Sequence, residues 1–123
     1  MAMEIGLRQI GHVSILDMRG KLSLGEGCEI LRNQVKELLE KGEKSLLLNM
    51  ADVTYMDSAG LGTLVTAYGS VNKAGGALKL LGVRKSVTDL LLLAKLSTLF
   101  EFYENQAMAV LSFDSPATRP ADA

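Results

Sequence analysis

A chain of 123 residues is the size of one ordinary domain and can bury a single core. Its formal net charge of −1 and its 5% aromatic content, without any Trp, argue against a nucleic-acid-binding surface, which needs a basic face or stacking side chains. The single cysteine, Cys28, cannot form an internal disulfide, the start of the chain lacks a signal-peptide pattern, and no apolar run approaches the ~18 residues that span a bilayer. We therefore expect a cytoplasmic protein that does not insert into a membrane.

The first part of the chain predicts a β-hairpin. Residues 3–9 alternate between apolar and polar, which indicates a half-buried strand, and a second strand covers residues 12–19. The apolar positions of the second strand change face partway along it, which indicates a β-bulge or a strand covered on both faces. We expect His12, the only histidine, to be a strand residue that faces solvent.

An amphipathic helix is expected over residues 26–41, and Gly42 follows it in the position typical of a helix C-terminus. The apolar residues that recur at helical spacing are Cys28, Leu31, Val35, Leu38 and Leu39. Because Cys28 lies on this apolar stripe, we expect it to pack in the core rather than to have a redox or metal-binding role.

The middle of the chain predicts a buried strand followed by a second helix. Residues 45–50 form a nearly continuous apolar run, which is typical of a central strand buried on both faces. We expect a polar loop over residues 51–56, and then a helix that begins at Ser58 and ends at the Gly75–Gly76 pair.

The last third predicts strand 77–83, helix 85–96, a short edge strand 100–103 and, over residues 104–113, a final amphipathic helix or turn. In the final helix we expect Ala107, Val110 and Leu111 to pack inward. Residues 114–123 contain both prolines of the chain and almost no apolar bulk, which predicts a disordered tail after a domain of residues 1–113.

This order of elements predicts an α/β fold: one small domain with a mixed β-sheet, made of the N-terminal hairpin and parallel strands, and about four packed helices. The loop before Ser58 would then lie at the carboxyl end of a strand, where open α/β sheets usually place their sites. Ser58 is followed closely by Gly60 and Gly62. Its hydroxyl could attack a substrate, cap the helix or accept a phosphate.

Catalysis by this chain is disfavoured. The nucleophile elbow of hydrolases requires glycine two residues before the serine, and Met56 stands there. A serine nucleophile also needs an oriented base, but the only histidine is His12, in an early strand. Gly62 is followed by Thr63 and not by the lysine that a P-loop requires. Two carboxylates in one loop, without further ligands, make a weak metal site. We expect no catalytic residue and no bound metal.

From the residues alone, helix capping and phosphorylation both remain possible roles for the Ser58 hydroxyl. Asp57 or Ser58 could accept hydrogen bonds from the free backbone N–H groups of the helix start. A cap does not account for glycines at two early helical positions, each costing ~1 kcal/mol relative to alanine; small side chains there would leave the backbone open to a partner surface. A phosphate on Ser58 would add roughly −1.5 to −2 charge at the positive end of the helix dipole, which the fold should tolerate. Phosphorylation would therefore change what the surface binds.

The segment D-S-A-G-L-G at residues 57–62, which follows L-N-M-A-D-V, resembles the phosphorylation loop of STAS domains, the anti-sigma-factor antagonists. The segments G-K-L (20–22), G-G-A-L-K-L (75–80) and L-F-E-F-Y (99–103) agree with it, so the resemblance runs from about residue 3 to residue 113. It implies that Ser58 is the phosphoacceptor. The family often has an acidic residue where this chain has Ser23. The implied partner-binding residues are Asp57, Ser58, Ala59, Gly60, Leu61, Gly62 and Ser23.

The resemblance also implies the partners. The unphosphorylated antagonist would bind an anti-sigma factor that is also a serine kinase with a histidine-kinase-like ATPase fold. That kinase would phosphorylate the serine and end the complex, and a serine phosphatase would restore the unphosphorylated, binding form. ATP would belong to that partner, so we expect no cofactor in this chain. The alternative is a STAS-fold structural or signalling subunit of a larger complex, stressosome-like or lipid-transporting, without a phospho-switch. In that case Ser58→Ala would leave partner binding intact.

Overall fold

The computed structural model describes residues 3–114, which form a five-stranded mixed sheet and four helices. The elements are β1 (Met3–Ile10), β2 (Val13–Leu22), α1 (Glu26–Glu40), β3 (Ser45–Met56), α2 (Ser58–Lys73), β4 (Ala77–Leu81), α3 (Lys85–Leu93), β5 (Phe102–Tyr103) and α4 (Gln106–Ser112). The α/β fold expected from the sequence is confirmed. The predicted tail lies, except for Asp114, outside the described residues. None of the helices in the described range is long and apolar enough to cross a membrane.

The strand order along the sheet is β1-β2-β3-β4-β5. The β1–β2 hairpin is antiparallel, whereas β3, β4 and β5 each run parallel to the preceding strand. Parallel strands end at the same edge of a sheet, and Leu22 at the end of β2 pairs with Met56 at the end of β3. This edge carries the β2–α1 loop and the start of α2.

Helices cover the two faces of the sheet unequally. The main core joins one face to apolar side chains of α1, α2 and α3, such as Leu31, Leu64 and Leu91, all fully buried. A smaller cluster on the other face packs Ile15 and other strand residues against Ala109 of α4. Strand β2 contributes to both clusters, which confirms the expectation that it is covered on both faces, and its pairing with β3 also has a register shift after Asp17.

The expected loop over residues 51–56 is wrong, because this segment continues β3 to Met56. It pairs with the last residues of β2, and the register shifts twice along that pairing. Each shift adds a residue to one strand, so the buried residues Met50, Val53 and Met56 recur at every third position instead of every second. The alternation that identifies a strand is therefore absent from the sequence of this segment.

The final helix is shorter than expected and is rotated relative to the prediction. Asn105 caps it by accepting a hydrogen bond from the Met108 N–H at 2.9 Å. Ala109 is buried, whereas Ala107 and Leu111 are exposed, so the inward orientation predicted for those two residues is wrong. Residues 107–111 of this helix of 7 residues are all apolar, so no helical spacing of apolar and polar positions fixes its phase from the sequence.

Two single-residue expectations have different outcomes. Cys28 is buried at 3% exposure on α1, as predicted. His12 is exposed, but it lies in the turn between β1 and β2 and not in a strand, with its Nε2 3.5 Å from an Asp114 carboxylate oxygen. Smaller differences concern boundaries: β4 ends at Leu81 and α3 at Leu93, each earlier than expected.

Candidate functional site

Helix α2 begins at the carboxyl edge of the sheet, and Asp57 is its N-cap. The Asp57 backbone is extended, and its carboxylate Oδ1 accepts a hydrogen bond from the Gly60 N–H at 2.9 Å. The sequence left open whether Asp57 or Ser58 caps the helix, and in the structure the cap is Asp57. Ser58 is the first residue of the helix and is exposed. Its hydroxyl is consequently not needed as the cap and faces solvent at the positive end of the helix dipole.

The second carboxylate oxygen of Asp57 connects the helix start to the neighbouring loop. Asp57 Oδ2 accepts a hydrogen bond from the backbone N–H of Leu24 at 3.0 Å. The hydrogen bonds from Leu24 and then Gly60 favour the charged carboxylate and lower the pKa of Asp57 below its ordinary value. One side chain thus holds two segments that are 33 residues apart in sequence.

The two glycines at the start of α2 have different surroundings. Gly60 is buried, and a Cβ atom there would overlap the carbonyl oxygen of Leu22 and crowd Met56. Gly62 is exposed, and a Cβ atom there would meet nothing within 4 Å. The interpretation that both glycines keep the backbone open to a partner is therefore wrong for Gly60, which allows the helix to approach the end of β2. Gly62 alone leaves free space on the surface.

The sequence-predicted site residues fall into three groups by exposure. Ser58 and Gly62 are exposed, whereas Asp57, Ala59 and Ser23 are half-buried. Gly60 and Leu61 are buried, and the Leu61 side chain belongs to the main core. All seven lie on the two segments that meet at the carboxyl edge of β2 and β3: the β2–α1 loop and the start of α2.

An open cleft of about 480 Å³ lies beside Ser58, between the starts of α1 and α2. Ala59 and Thr63 line it from α2, and Cys28 and Arg32 line it from α1. Leu24 stands at the same cleft with 80% of its surface exposed. The sequence did not lead us to predict Leu24 as a site residue. The signal available there was an apolar residue in a short loop that continues the apolar spacing of neither β2 nor α1.

Acidic residues surround this cleft. Glu26 and Glu29 occupy the first turn of α1 and line the cleft, while Asp57 holds the loop next to it. Arg32 is the only basic residue among those that line it in the described part of the chain. Without a phosphate, the surface next to Ser58 therefore already carries more negative than positive charge.

No histidine of the described residues lies near Ser58. His12 stands just before the start of β2, whereas Ser58 lies at the edge where β2 ends. Strand β2 has 10 residues, so at about 3.3 Å per residue its two ends are roughly 30 Å apart. His12 and Ser58 are separated by about this length. The geometry gives the Ser58 hydroxyl no imidazole that could act as its general base.

Comparison with known proteins agrees with the fold. The model of the STAS domain family matches residues 4–109. The anti-sigma-B factor antagonist of Bacillus subtilis is 35% identical over 80 residues, which are 65% of this chain and 72% of that protein. The chain therefore belongs to the STAS domain family.

Solved structures give the same result. A Thermotoga maritima protein described as an anti-sigma factor antagonist superposes with a TM-score of 0.83 at 25% identity, over 90% of this chain and 95% of that chain. The phosphorylated form of the Bacillus cell fate determinant SpoIIAA superposes with a TM-score of 0.71 at 15% identity, over 89% of this chain and 98% of that chain. At that identity the second likeness concerns the fold. The Bacillus subtilis and Thermotoga maritima proteins are both named as anti-sigma factor antagonists.

Proposed function

We propose that this chain is an anti-sigma factor antagonist whose partner binding is switched off by phosphorylation of Ser58. In the unphosphorylated form it binds an anti-sigma factor through the surface around the start of α2. The observation that carries the proposal is the position of Ser58, an exposed hydroxyl on the first residue of a helix that Asp57 already caps. Family membership and the relatives named as antagonists support the same role.

The surroundings of Ser58 favour a substrate for another enzyme over a nucleophile of this chain. The helix start is held on one side by the Asp57 hydrogen bonds and on the other by the close approach of Gly60 to Leu22. A kinase would therefore meet the hydroxyl on an ordered support. The phosphorylated form of SpoIIAA, a protein of the same fold, supports a phosphate on this type of domain.

A phosphate on Ser58 would change partner binding through its charge, its bulk and its position at the start of α2. It would add roughly −1.5 to −2 charge at pH 7, next to Asp57 and to the acidic first turn of α1. A partner surface that packs closely against the start of α2 before phosphorylation would be kept away afterwards by the bulk of the phosphate and by the cost of taking its charge out of water. The helix dipole tolerates the phosphate, so the complex is lost while the fold is kept.

The partner is an anti-sigma factor that is also a serine kinase, with a histidine-kinase-like ATPase fold. That partner binds the ATP, and this chain supplies only the acceptor hydroxyl. A serine phosphatase returns the chain to its binding form. Localisation in the cytoplasm follows from this role.

The test uses each kinase-type anti-sigma factor encoded in the source genome, purified and mixed singly with the wild-type chain and ATP. We expect one of them to bind the chain without ATP, to phosphorylate it at Ser58, and to release it afterwards. Ser58→Ala should bind and remain bound, whereas Ser70→Ala, an exposed serine farther along the same helix, should behave as wild type. Phosphate on another residue, or binding that phosphorylation does not weaken, would refute the switch.

A further inference from the structure

Leu24 is an apolar side chain that the fold holds in solvent. It is 80% exposed, although it stands in a short loop between a buried strand end and a helix. Its backbone N–H donates to Asp57 Oδ2 at 3.0 Å, and the carbonyl oxygens of its two neighbours, Ser23 and Gly25, accept hydrogen bonds from the N–H groups of α1 at 3.1 and 3.0 Å. The backbone on both sides of the side chain is thus constrained. An exposed residue that is already ordered loses less conformational entropy when a partner covers it.

The loop of Leu24 belongs to the same surface as Ser58. Asp57, the residue that holds Leu24, directly precedes Ser58, and Leu24 lines the cleft together with Ala59. A partner that covers Ser58 therefore also lies within reach of Leu24. The side chain is at the edge of the cleft and does not fill it, because most of its own surface is exposed.

The charges around Leu24 indicate what kind of surface can cover it. Glu26 and Glu29 line the cleft, and the Asp57 carboxylate binds the backbone of Leu24 next to it. Arg32 is the one basic residue among the described residues that line the cleft. A second copy of this chain would bring the same acidic groups together, which electrostatics opposes. A surface with basic side chains around an apolar pocket complements both the leucine and its acidic surroundings.

We propose that Leu24 is the apolar anchor of the partner complex, inserted into an apolar pocket of the anti-sigma factor that lysine or arginine side chains surround. The inference rests on the proposed function and adds the chemistry of the partner surface. Asp57 acts as a positioning residue, since its carboxylate fixes the backbone of Leu24. A few side chains that are fully desolvated in well-packed pockets near the centre of an interface account for most of the affinity, and Leu24 would be one of them.

The test compares two leucines of equal exposure. Leu24→Ala should weaken binding of the unphosphorylated chain to the purified anti-sigma factor by at least about thirtyfold, the lower limit for an interface hot spot. Leu93→Ala, which changes an 83% exposed leucine at the end of α3, should stay within about twofold of wild type, as surface substitutions usually do. Both variants change exposed side chains, and thermal melting checks that both are folded.

A second measurement tests the charge complementarity. Replacing the acidic pair with Glu26→Gln and Glu29→Gln should slow association and reduce the dependence of the association rate on salt, with little change in the dissociation rate. Leu24→Ala should instead act mainly through faster dissociation, because it removes a buried contact and no charge. An association rate for the glutamine variant that is equal to wild type at low salt would overturn the basic-rim part of the proposal.

These experiments distinguish failure of the Leu24 proposal from failure of the proposed function. If the wild-type chain binds and is switched by phosphorylation, but Leu24→Ala binds as tightly as Leu93→Ala, the anchor is overturned and the proposed function stands. If no purified anti-sigma factor of the source organism binds the wild-type chain, the proposed function fails and the anchor fails with it. A selective loss in Leu24→Ala supports both.

Discussion

The Asp57 carboxylate accepts one hydrogen bond from the Gly60 N–H at 2.9 Å and a second from the Leu24 N–H at 3.0 Å. The first bond caps α2, and the second attaches the β2–α1 loop to the same helix start. Asp57 thereby joins the loop that presents the candidate anchor Leu24 to the helix turn that presents Ser58. A carboxylate with two backbone donors is held in place without any basic side chain.

Asp57→Asn should lower the melting temperature in a pH-dependent way. Asparagine keeps a neutral cap but loses the charge that the two backbone donors stabilise. Because the folded-state pKa of Asp57 is lowered, its charge contributes stability above the unfolded pKa of about 3.9. That contribution is lost as the pH falls through the folded-state pKa. Thermal melting of the wild-type protein and of Asp57→Asn between pH 7 and pH 2.5 measures the difference between their melting temperatures. This difference should be constant near neutral pH and should shrink in acid. A difference that stays unchanged over this range would show that the charge of Asp57 does not contribute.

The two glycines of the motif should respond oppositely to alanine. Gly60→Ala places a methyl group against the Leu22 carbonyl and Met56, and overpacking of this kind costs about 1–3 kcal/mol. Gly62→Ala meets open space and should stabilise the helix by about 0.5–1 kcal/mol. Urea denaturation of both variants measures the two free energies of unfolding. Equal effects of the same sign would contradict the packing role of Gly60.

The same pair of glycines illustrates what the sequence could predict about the site. The D-S-A-G-L-G segment identified the helix start, the position of Ser58 and the family. It could not distinguish Gly60 from Gly62, because their difference depends on a backbone carbonyl 38 residues earlier, in β2. The hydrogen bond between Asp57 and Leu24 depends on the same long-range approach, so it was not predictable from the sequence.

Helices and strands were predictable from the sequence wherever apolar residues recur at a regular spacing. Helices α1 and α2 bury residues at helical spacing, such as Leu31, Val35 and Leu38 of α1, and both were expected within a residue or two of their ends. The prediction failed in residues 51–56, where two register shifts remove the alternation of a strand. It also failed in the phase of α4, which has only 7 residues and buries Ala109 through contacts with a distant part of the sheet.

A negative charge at Ser58 should leave the stability of the domain nearly unchanged. Ser58 is the first residue of α2, where the helix dipole favours an acidic group by about 0.3–1 kcal/mol, and repulsion from Asp57 opposes this gain. We therefore expect Ser58→Asp to change the free energy of unfolding by less than about 1 kcal/mol.

The matched control is Ser70→Asp, an exposed position in the last turn of the same helix. The dipole disfavours an acid there by a similar ~0.3–1 kcal/mol, so this variant should be the less stable of the two. Urea titrations at low ionic strength measure the difference. If Ser58→Asp unfolds more easily than Ser70→Asp, phosphorylation would act by loosening the domain and not by changing the surface.

Lys79 should hold α4 on the second face of the sheet. Its side chain is only 5% exposed, and its Nζ donates to the Ser112 carbonyl at 3.1 Å and to the Ser112 Oγ at 2.9 Å. The same ammonium group lies 4.6 Å from the centroid of the Phe113 ring, a distance at which a cation attracts the aromatic face. Lys79→Met keeps an apolar stem and removes the charge together with both hydrogen bonds.

We expect Lys79→Met to cost about 1–3 kcal/mol, because two hydrogen bonds from a charged donor to the half-buried Ser112 are lost. The loss should be local, with faster amide hydrogen exchange in α4, for example at Ala109, than in α2. Ser112→Ala is the control, because it removes the Oγ acceptor but leaves the carbonyl and the Phe113 ring in place, and it should cost less. If Lys79→Met melts as wild type and α4 exchanges no faster, then the apolar contacts of Ala109 with the sheet hold this helix without the lysine.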